Sequence, residues 1–313
     1  MGLKAPSIAE IEAAQKRISS FVLRSPLVRL DDDLYLKLEN LQPIGSFKIR
    51  GSGNAMEIAG TQRLKDGVYT ASAGNMAQGV AWNAERMGLR STAIVPDHAP
   101  EAKLDAIRKL KGEIIRIPFD QWWNVLMTGR YEGMNGFFIH PVSDVAVMAG
   151  NGTIGLEIVE DLPDVDTIYI PYGGGGLSCG IASAVRAHKP EIKIFASEVE
   201  TAAPFQTSLT AGKPSTCNYT PSFVDGIGGK SVLPEMWPLT SRLLDGSVTV
   251  SLEQIADAIR ILASRARVIA EGAGASSLAA ALKSRDKGKT VCVISGGNID
   301  FSKLSVILNG GLP

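Results

Sequence analysis

Short β-rich runs that alternate with helical stretches are the feature of this chain that most constrains its fold. The runs are LYLKLE at 34–39, GVYTAS at 67–72, STAIVP at 91–96, EIIRIP at 113–118, GFFIHP at 136–141, TIYIPY at 167–172, KIFASE at 193–198 and TVCVIS at 290–295. Alternation of this kind builds parallel sheets that are covered by helices. The sequence therefore predicts an α/β fold with its functional loops beyond the carboxyl ends of the strands.

The length of the chain predicts either two domains or one large α/β unit. A chain of 313 residues exceeds the usual size of a single domain. No low-complexity linker, internal repeat or long charge block marks a boundary in the sequence, so the division must follow from topology. We predict a small, mobile substrate-side domain at 57–143, inserted into a large domain formed by 1–56 and 144–313.

Composition excludes several kinds of partner. Lys and Arg total 32, as do Asp and Glu, so no net charge favours nucleic acid or an anionic membrane surface. The N-terminal sequence has neither a signal-peptide core nor an apolar run that could span a bilayer. Cys179, Cys217 and Cys292 are odd in number and lack metal-ligand spacing, which favours a reducing compartment. We expect a cytoplasmic protein that binds a small molecule.

The strongest local signal is a run of four glycines, Gly173, Gly174, Gly175 and Gly176, between a predicted strand and a predicted helix. Glycines let successive backbone N–H groups converge on a ligand, and a helix N-terminus adds partial positive charge. This pattern favours a bound phosphate over an empty strained turn.

The glycine run alone does not identify the phosphate. A Walker-type loop needs Lys-Ser or Lys-Thr after its last glycine, but Leu177 and Ser178 stand there. A dinucleotide loop is a closer rival, because Gly173 and Gly175 fit its first two positions and Glu198 could bind a ribose. On this segment NAD stays possible.

Lys48 lies among small and apolar neighbours in GSFKIRG, shortly after a predicted strand. An amine that forms an imine must be neutral part of the time, and desolvation lowers a lysine pKa in that direction. A single lysine is weak evidence, because most lysines are solvated surface charges. The adjacent motifs strengthen the prediction that Lys48 forms an imine.

Two further loops end predicted strands. SAGNMAQG at 72–79 opens a helix whose N–H groups could bind a carboxylate, although an ordinary helix cap explains it equally well. SGGN at 295–298 places a hydroxyl beside glycines that allow close approach of a ring. Read together with Lys48 and the glycine run, these loops indicate a phosphate-bearing pyridine.

These motifs resemble the fold type II, or tryptophan synthase β-like, pyridoxal-phosphate enzymes, most closely the threonine/serine dehydratase and serine racemase branch. The resemblance runs through nearly the whole chain. It rests on KLENLQPIGSFKIRG, SAGNMAQG, MAGNGTIGLEI, PYGGGGLSCG, AEGAGA and SGGNID. It implies a two-domain parallel-sheet architecture, pyridoxal 5'-phosphate as cofactor and a homodimer.

The resemblance also implies roles for individual residues. Lys48 would form the imine with the cofactor and act as the base at Cα, with Phe47 flanking the ring. The other cofactor contacts would be Asn75 at the ring hydroxyl, Gly173, Gly174, Gly175, Gly176 and Leu177 at the phosphate, Glu271 near the ring face and Ser295 at the pyridine nitrogen. The substrate contacts would be Ser72, Ala73, Gly74, Asn75 and Met76.

The implied reaction is β-elimination of a β-hydroxy-amino acid such as L-threonine or L-serine, which gives a 2-oxo acid and ammonia. An uncharged serine at the pyridine nitrogen favours prompt loss of a β-leaving group. Ala73 stands where serine racemases have their second acid/base serine, so racemisation is not expected. Pro204 stands where the cation site that would begin at Glu198 needs an acid, so no metal is predicted.

Two departures leave the substrate open. The family loop usually has histidine where this chain has Met76. Trp122 and Trp123 are interpreted as core or lid packing, with a wall for a bulkier substrate as the alternative. The alternatives to a threonine/serine dehydratase are a dehydratase for another 3-hydroxy-amino acid, for example in hydroxyectoine breakdown, a β-replacement enzyme of the cysteine synthase type, and an amino-acid-binding module without turnover.

Overall fold

The computed structural model describes residues 2–284 and 287–313, and in them two sheets are covered by helices. The strands are β1 (Leu27–Asp31), β2 (Leu34–Leu38), β3 (Val68–Ala71), β4 (Ser91–Pro96), β5 (Glu113–Ile117), β6 (Phe137–Phe138), β7 (Thr167–Pro171), β8 (Lys193–Val199), β9 (Gly246–Val250) and β10 (Thr290–Ile294). The helices are α1 (Ile8–Ile18), α2 (Lys48–Leu64), α3 (Asn75–Arg86), α4 (Glu101–Lys109), α5 (Phe119–Thr128), α6 (Val145–Asp161), α7 (Gly176–His188), α8 (Pro204–Ala211), α9 (Trp237–Leu243), α10 (Leu252–Ile261), α11 (Gly272–Ser284) and α12 (Phe301–Leu308).

The larger sheet has the order β1-β2-β10-β7-β8-β9, and the smaller sheet has the order β5-β4-β3-β6. All neighbouring strands are parallel except β1 and β2. Only Asp32 and Asp33 separate these two strands. A connection this short allows a hairpin but not the crossover that parallel strands require.

The sequence prediction missed two strands and lengthened a third. β1 and β9 both lie at edges of the larger sheet, and their residues are mostly half-buried. The run predicted at 136–141 forms only the two-residue strand β6. In contrast, β7 and β10 are buried along their whole length, which explains why their apolar runs are easy to recognise.

Apolar side chains cover both faces of the larger sheet. In β10, Val291 and Val293 belong to one buried cluster, and Cys292 and Ile294 belong to the cluster on the other face. This split follows from the alternation of side chains along a strand. No helix in residues 2–284 and 287–313 is long and apolar enough to cross a membrane.

Helices α2 and α6 connect the region of the smaller sheet to that of the larger one. A Cβ at Gly150 in α6 would lie 2.5 Å from the carbonyl oxygen of Arg50 in α2, so the two backbones are in direct contact. The strands β3 to β6 fall within 57–143, but α2 crosses the predicted boundary at residue 57. Which residues form each domain stays a prediction.

Candidate active site

Strands of both sheets end at one cavity of about 470 Å³. Pro96 ends β4 and Pro171 ends β7, while Ser72 and Ser295 directly follow β3 and β10. Every residue predicted for the site lines this cavity. They are Phe47, Lys48, Ser72, Ala73, Gly74, Asn75, Met76, Gly173, Gly174, Gly175, Gly176, Leu177, Glu271 and Ser295. Their assembly follows from the rule that the carboxyl ends of parallel strands carry the functional loops.

Lys48 is the first residue of α2, and its amine lies inside the cavity. Its Nζ donates a hydrogen bond to the carbonyl oxygen of Pro141 at 3.0 Å and lies 5.1 Å from the ring centroid of Phe47. Burial lowers the pKa of Lys48 to about 8, although the nearby Glu271 carboxylate acts to raise it. The amine is therefore neutral in an appreciable fraction of molecules near neutral pH.

The chain before Lys48 is paired with the chain after β10. Phe47 N–H donates to the carbonyl oxygen of Ser295 at 3.0 Å, and Gly297 N–H donates to that of Gly45 at 2.8 Å. Ser46 and Gly296 form an antiparallel bridge between these hydrogen bonds. This pairing holds Lys48 and Ser295 in the same cavity, although they are far apart in the sequence.

The glycine run forms a narrow turn between β7 and α7. Gly175 has φ +94°, which favours glycine, and a Cβ at Gly174 would lie 2.6 Å from the Val142 side chain. The first N–H groups of α7 have no partner within the helix and lie at the positive end of its dipole. The turn therefore has the shape and polarity of a phosphate site.

Asn75 and Glu271, which line the cavity, form a chain of hydrogen bonds with Asn298. Asn75 Nδ2 donates to Glu271 Oε1 at 2.8 Å, and Asn298 Nδ2 donates to Asn75 Oδ1 at 2.8 Å. The amide of Asn75 has a second N–H that can donate to a ring hydroxyl. Asn298 was absent from the predicted site, although it lies in the motif that contains Ser295.

Glu271 is a buried carboxyl group with a perturbed pKa. Burial and the charge of Asp225 raise this pKa, whereas the hydrogen bond from Asn75 and the charges of Lys103 and Lys48 lower it. The net result is a pKa of about 7. Glu271 can therefore exist as an acid or a carboxylate under ordinary conditions.

The predicted substrate loop lies before and at the start of α3. Gly74 N–H donates to Ser72 Oγ at 3.2 Å, and Asn75 is the first residue of the helix. Met76 is 2% exposed and packs in an apolar cluster with Val80 and Ala84 while it also lines the cavity. The loop thus combines backbone N–H groups with an apolar floor.

Trp122 does more than pack in the core or in a lid, which was the role predicted from the sequence. Its ring lines the cavity, and its Nε1 donates to the carbonyl oxygen of Ile94 at 3.1 Å. Trp123 is 39% exposed and lies outside the cavity lining. Sequence reasoning could not separate these neighbours, because their directions depend on how α5 is placed over β3 and β4.

Glu198, a candidate ribose or cation ligand from the sequence, makes its hydrogen bonds within the protein. Its carboxylate accepts hydrogen bonds from Phe205 N–H at 2.8 Å, Gln206 N–H at 2.7 Å and Ser247 Oγ at 2.6 Å. It thereby caps the N-terminus of α8. In the part of the chain that the structure describes, no group of three or more His, Cys, Asp or Glu side chains could hold a metal ion.

Comparisons with known proteins agree with this geometry. Residues 18–296 match the model of the pyridoxal-phosphate dependent enzyme family. The chain belongs to this family, and its predicted α/β fold of type II is confirmed.

Individual relatives are similar over most of their length. An L-threonine ammonia-lyase of Thermotoga maritima is 40% identical over 98% of this chain and 79% of the relative. The structure of maize serine racemase has a TM-score of 0.90, with 32% identity over 96% of each chain. Threonine deaminase isoform 2 from Solanum lycopersicum has a TM-score of 0.88, with 32% identity over 99% of this chain and 91% of that chain.

The cavity fits the family's cofactor, pyridoxal phosphate, whose prediction is confirmed. The buried amine of Lys48 matches the aldehyde, the glycine turn matches the phosphate and the hydroxyl of Ser295 matches the pyridine nitrogen. The roles of these residues stay proposals.

Proposed function

We propose that this chain is an ammonia-lyase that converts a β-hydroxy-amino acid such as L-threonine or L-serine to a 2-oxo acid and ammonia. The observation that carries this proposal is the buried Lys48 amine, with a pKa of about 8, in one cavity with the glycine turn and Ser295. The relative named L-threonine ammonia-lyase supports the same reaction class.

Specific residues would hold the cofactor. Bound pyridoxal phosphate supplies an imine carbon and an electron-withdrawing ring, which together acidify the Cα–H bond of an amino acid. The N–H groups of 173–177 would hold the phosphate, and Asn75 would donate to the ring hydroxyl. Phe47 would flank the ring, and Glu271 would orient Asn75 through their 2.8 Å hydrogen bond.

Lys48 would act as the base for the Cα proton. Desolvation makes its neutral amine accessible, and the carbonyl oxygen of Pro141 holds one N–H so that Nζ stays in the cavity. The N–H groups of the Ser72 to Asn75 loop would bind the substrate carboxylate, because they lie at a helix N-terminus. This contact orients Cα relative to Nζ.

Two residues favour elimination over the alternatives. Ser295 is uncharged and cannot hold a proton on the pyridine nitrogen as a carboxylate would, so the ring is a weaker electron sink. A weak sink favours immediate loss of the β-hydroxyl group. Ala73 offers no proton donor on the opposite face of Cα, so we propose little racemisation.

We further propose that the enzyme is a homodimer in the cytoplasm. Cys179, Cys217 and Cys292 are all free, which suits a reducing compartment. Phe301 on α12 is 81% exposed and Leu308 on the same helix is 48% exposed, and a second copy could cover this apolar surface. Light scattering coupled to size exclusion should give twice the chain mass.

A substrate assay tests the proposed function. Purified holoenzyme is incubated with L-threonine, with L-serine, and with O-acetylserine plus sulfide, and 2-oxo acid and ammonia are measured. Equal amounts of 2-oxo acid and ammonia from a hydroxy-amino acid are expected. Consumption of O-acetylserine and sulfide with little 2-oxo acid would instead indicate β-replacement. Intact cofactor without ammonia release would indicate a binding protein.

A further inference from the structure

The outer part of the cavity has an aromatic wall, which consists of Phe119 and Trp122 of α5 together with the aliphatic Leu126. These residues occupy positions i, i+3 and i+7, which share one face of a helix, and all three line the cavity. The ring centroids of Phe119 and Trp122 lie 5.6 Å apart. The apolar face of α5 therefore does more than cover the smaller sheet.

The polar atom of the aromatic wall, Trp122 Nε1, already has a hydrogen-bond partner. Trp122 Nε1 donates to the carbonyl oxygen of Ile94 in β4, which fixes the orientation of the ring. Trp122 also packs against a buried cluster that includes Ala71 and Ile94. What it offers to the cavity is consequently a fixed apolar surface, without a free hydrogen-bond donor.

The aromatic wall lies beside the proposed substrate loop. Ser72 follows β3 and Pro96 ends the adjacent strand β4, and α5 packs over these two strands. Within the loop, Ala73 and Met76 add apolar surface to the same cavity. A substrate held at this loop thus has an apolar surface on the side of α5.

The charged groups of the outer cavity are largely paired. Lys103 Nζ lies 2.9 Å from Asp225 Oδ2, so its charge is balanced. His98 is exposed and lies 3.2 Å from Asp97 through its Nδ1, and its ring is 6.0 Å from that of Phe119. Among residues 2–284 and 287–313, an anionic side chain would find no unpaired cation in the lining at the aromatic wall itself.

We infer that the preferred substrate is a 3-hydroxy-amino acid with a bulky, aryl-type β-substituent, of the 3-phenylserine class. This inference rests on the proposed function. The Cα–H and Cβ–O bonds break, the hydroxyl leaves as water, and hydrolysis takes up one water as ammonia is released. 3-Phenylserine thus gives phenylpyruvate and ammonia without an oxidant.

A three-substrate comparison tests the inference. kcat/KM is measured with holoenzyme for L-threo-3-phenylserine, L-threonine and L-threo-3-hydroxyaspartate, with 2-oxo acid as the readout. We expect phenylserine to exceed threonine by about tenfold or more. A preference for threonine or hydroxyaspartate would overturn the inference and leave the lyase reaction standing. No 2-oxo acid from any of the three would overturn the proposed function as well.

Variants in α5 test whether the aromatic wall causes the preference for phenylserine over threonine. Trp122→Leu should lower the ratio of kcat/KM for phenylserine to that for threonine by about tenfold. Trp123→Leu is the matched control, because this neighbour lies outside the cavity lining, and its ratio should be unchanged. Phe119→Ala, at a position that is 40% exposed, should lower the ratio less and provides a second test if Trp122→Leu folds poorly. An unchanged ratio in Phe119→Ala, and in Trp122→Leu if it folds, would overturn the inference.

Discussion

The segment GSFKIRG contributes a side chain to two groups of charged residues. The Arg50 group contains Arg50, Glu39 and Glu157, and the Lys48 group contains Lys48 and Glu271. The two groups differ in how well their charges are paired. Arg50 is 1% exposed and forms a hydrogen bond to each oxygen of Glu39, at 2.8 Å and 2.8 Å. It also donates to both oxygens of Glu157, at 2.6 Å and 3.0 Å. Lys48, two residues earlier, donates only to a neutral carbonyl oxygen, that of Pro141, among the hydrogen bonds described.

The partners decide the protonation state in each group. Burial alone would lower the pKa of Arg50, but Glu39 and Glu157 raise it above its ordinary value. Burial alone would raise the pKa of Glu157, but Arg50 and Lys37 hold it below its ordinary value. Arg50 and Glu157 therefore each favour their charged form, as a structural ion network requires.

Lys48 is half-buried and Glu271 is buried, and both have fewer opposite charges around them than Arg50 has. The pKa of Lys48 falls to about 8 and that of Glu271 rises to about 7. Both groups can thus gain or lose a proton near neutral pH, as proton transfer in catalysis requires. The comparison teaches that a structural charge in this protein is paired with opposite charges, whereas the groups suited to proton transfer have few such partners.

The largest expected effect comes from Lys48→Ala. Removing the amine should lower turnover by about 10³-fold or more and abolish the absorbance band of the lysine-bound cofactor. Lys65→Ala, at the exposed C-terminal end of the same helix, is the control and should match the wild type. A Lys48→Ala spectrum identical to that of the wild type would remove the basis for its role.

Arg50→Met should mainly destabilise the fold. It leaves the buried Glu39 carboxylate without its cation and Glu157 with Lys37 alone, which should lower the free energy of unfolding by about 3–5 kcal/mol in urea titrations. Adding Glu39→Gln, which removes the carboxylate left without a cation, should restore part of this loss. A cost near that of an exposed ion pair would show that the two groups do not differ as argued.

Glu271→Gln should shift the pH dependence of kcat. The Glu271 charge raises the pKa of Lys48, so its removal should move the ascending limb, where Lys48 loses its proton, to lower pH by about one unit or less. Glu271→Asp keeps the charge and should keep the limb in place. A limb that moves to higher pH would contradict this coupling.

The same variant has a second readout in stability. Between pH 4.5 and about 7 the folded chain binds more protons at Glu271 than the unfolded chain does. Its contribution to the free energy of unfolding is therefore present below pH 4.5 and is lost as pH rises through this window. Glu271→Gln should remove that part of the slope in urea titrations at several pH values.

The smallest effect on stability is expected when the exposed ion pairs of Arg24 are removed. Arg24 lies 2.7 Å from Glu160 and 2.5 Å from Asp161, but its side chain is 49% exposed. Arg24→Ala should therefore lower the free energy of unfolding by about 1 kcal/mol or less, and added salt should reduce the difference. A loss as large as that of Arg50→Met would show that burial does not separate the two.

Much of the site could be predicted because its chemistry is local in the sequence. The buried strands, the glycine turn and the loops at 72–76 and 295–298 each carry a signal in a few consecutive residues. The edge strands β1 and β9 carry weak signals, because half-buried strands need fewer apolar residues. Their absence from the prediction did not affect the site.

The sequence by itself determined the α/β fold, the cofactor and the motif residues that line the inner cavity, because these depend on short stretches of sequence. Only the tertiary structure decided which charges are paired and which way α5 faces. Asn75 and Glu271 are hydrogen-bonded across 196 positions, and Lys48 and Arg50, two residues apart, meet quite different distant partners. Protonation and substrate fit depend on such long-range contacts, which no short stretch of residues encodes.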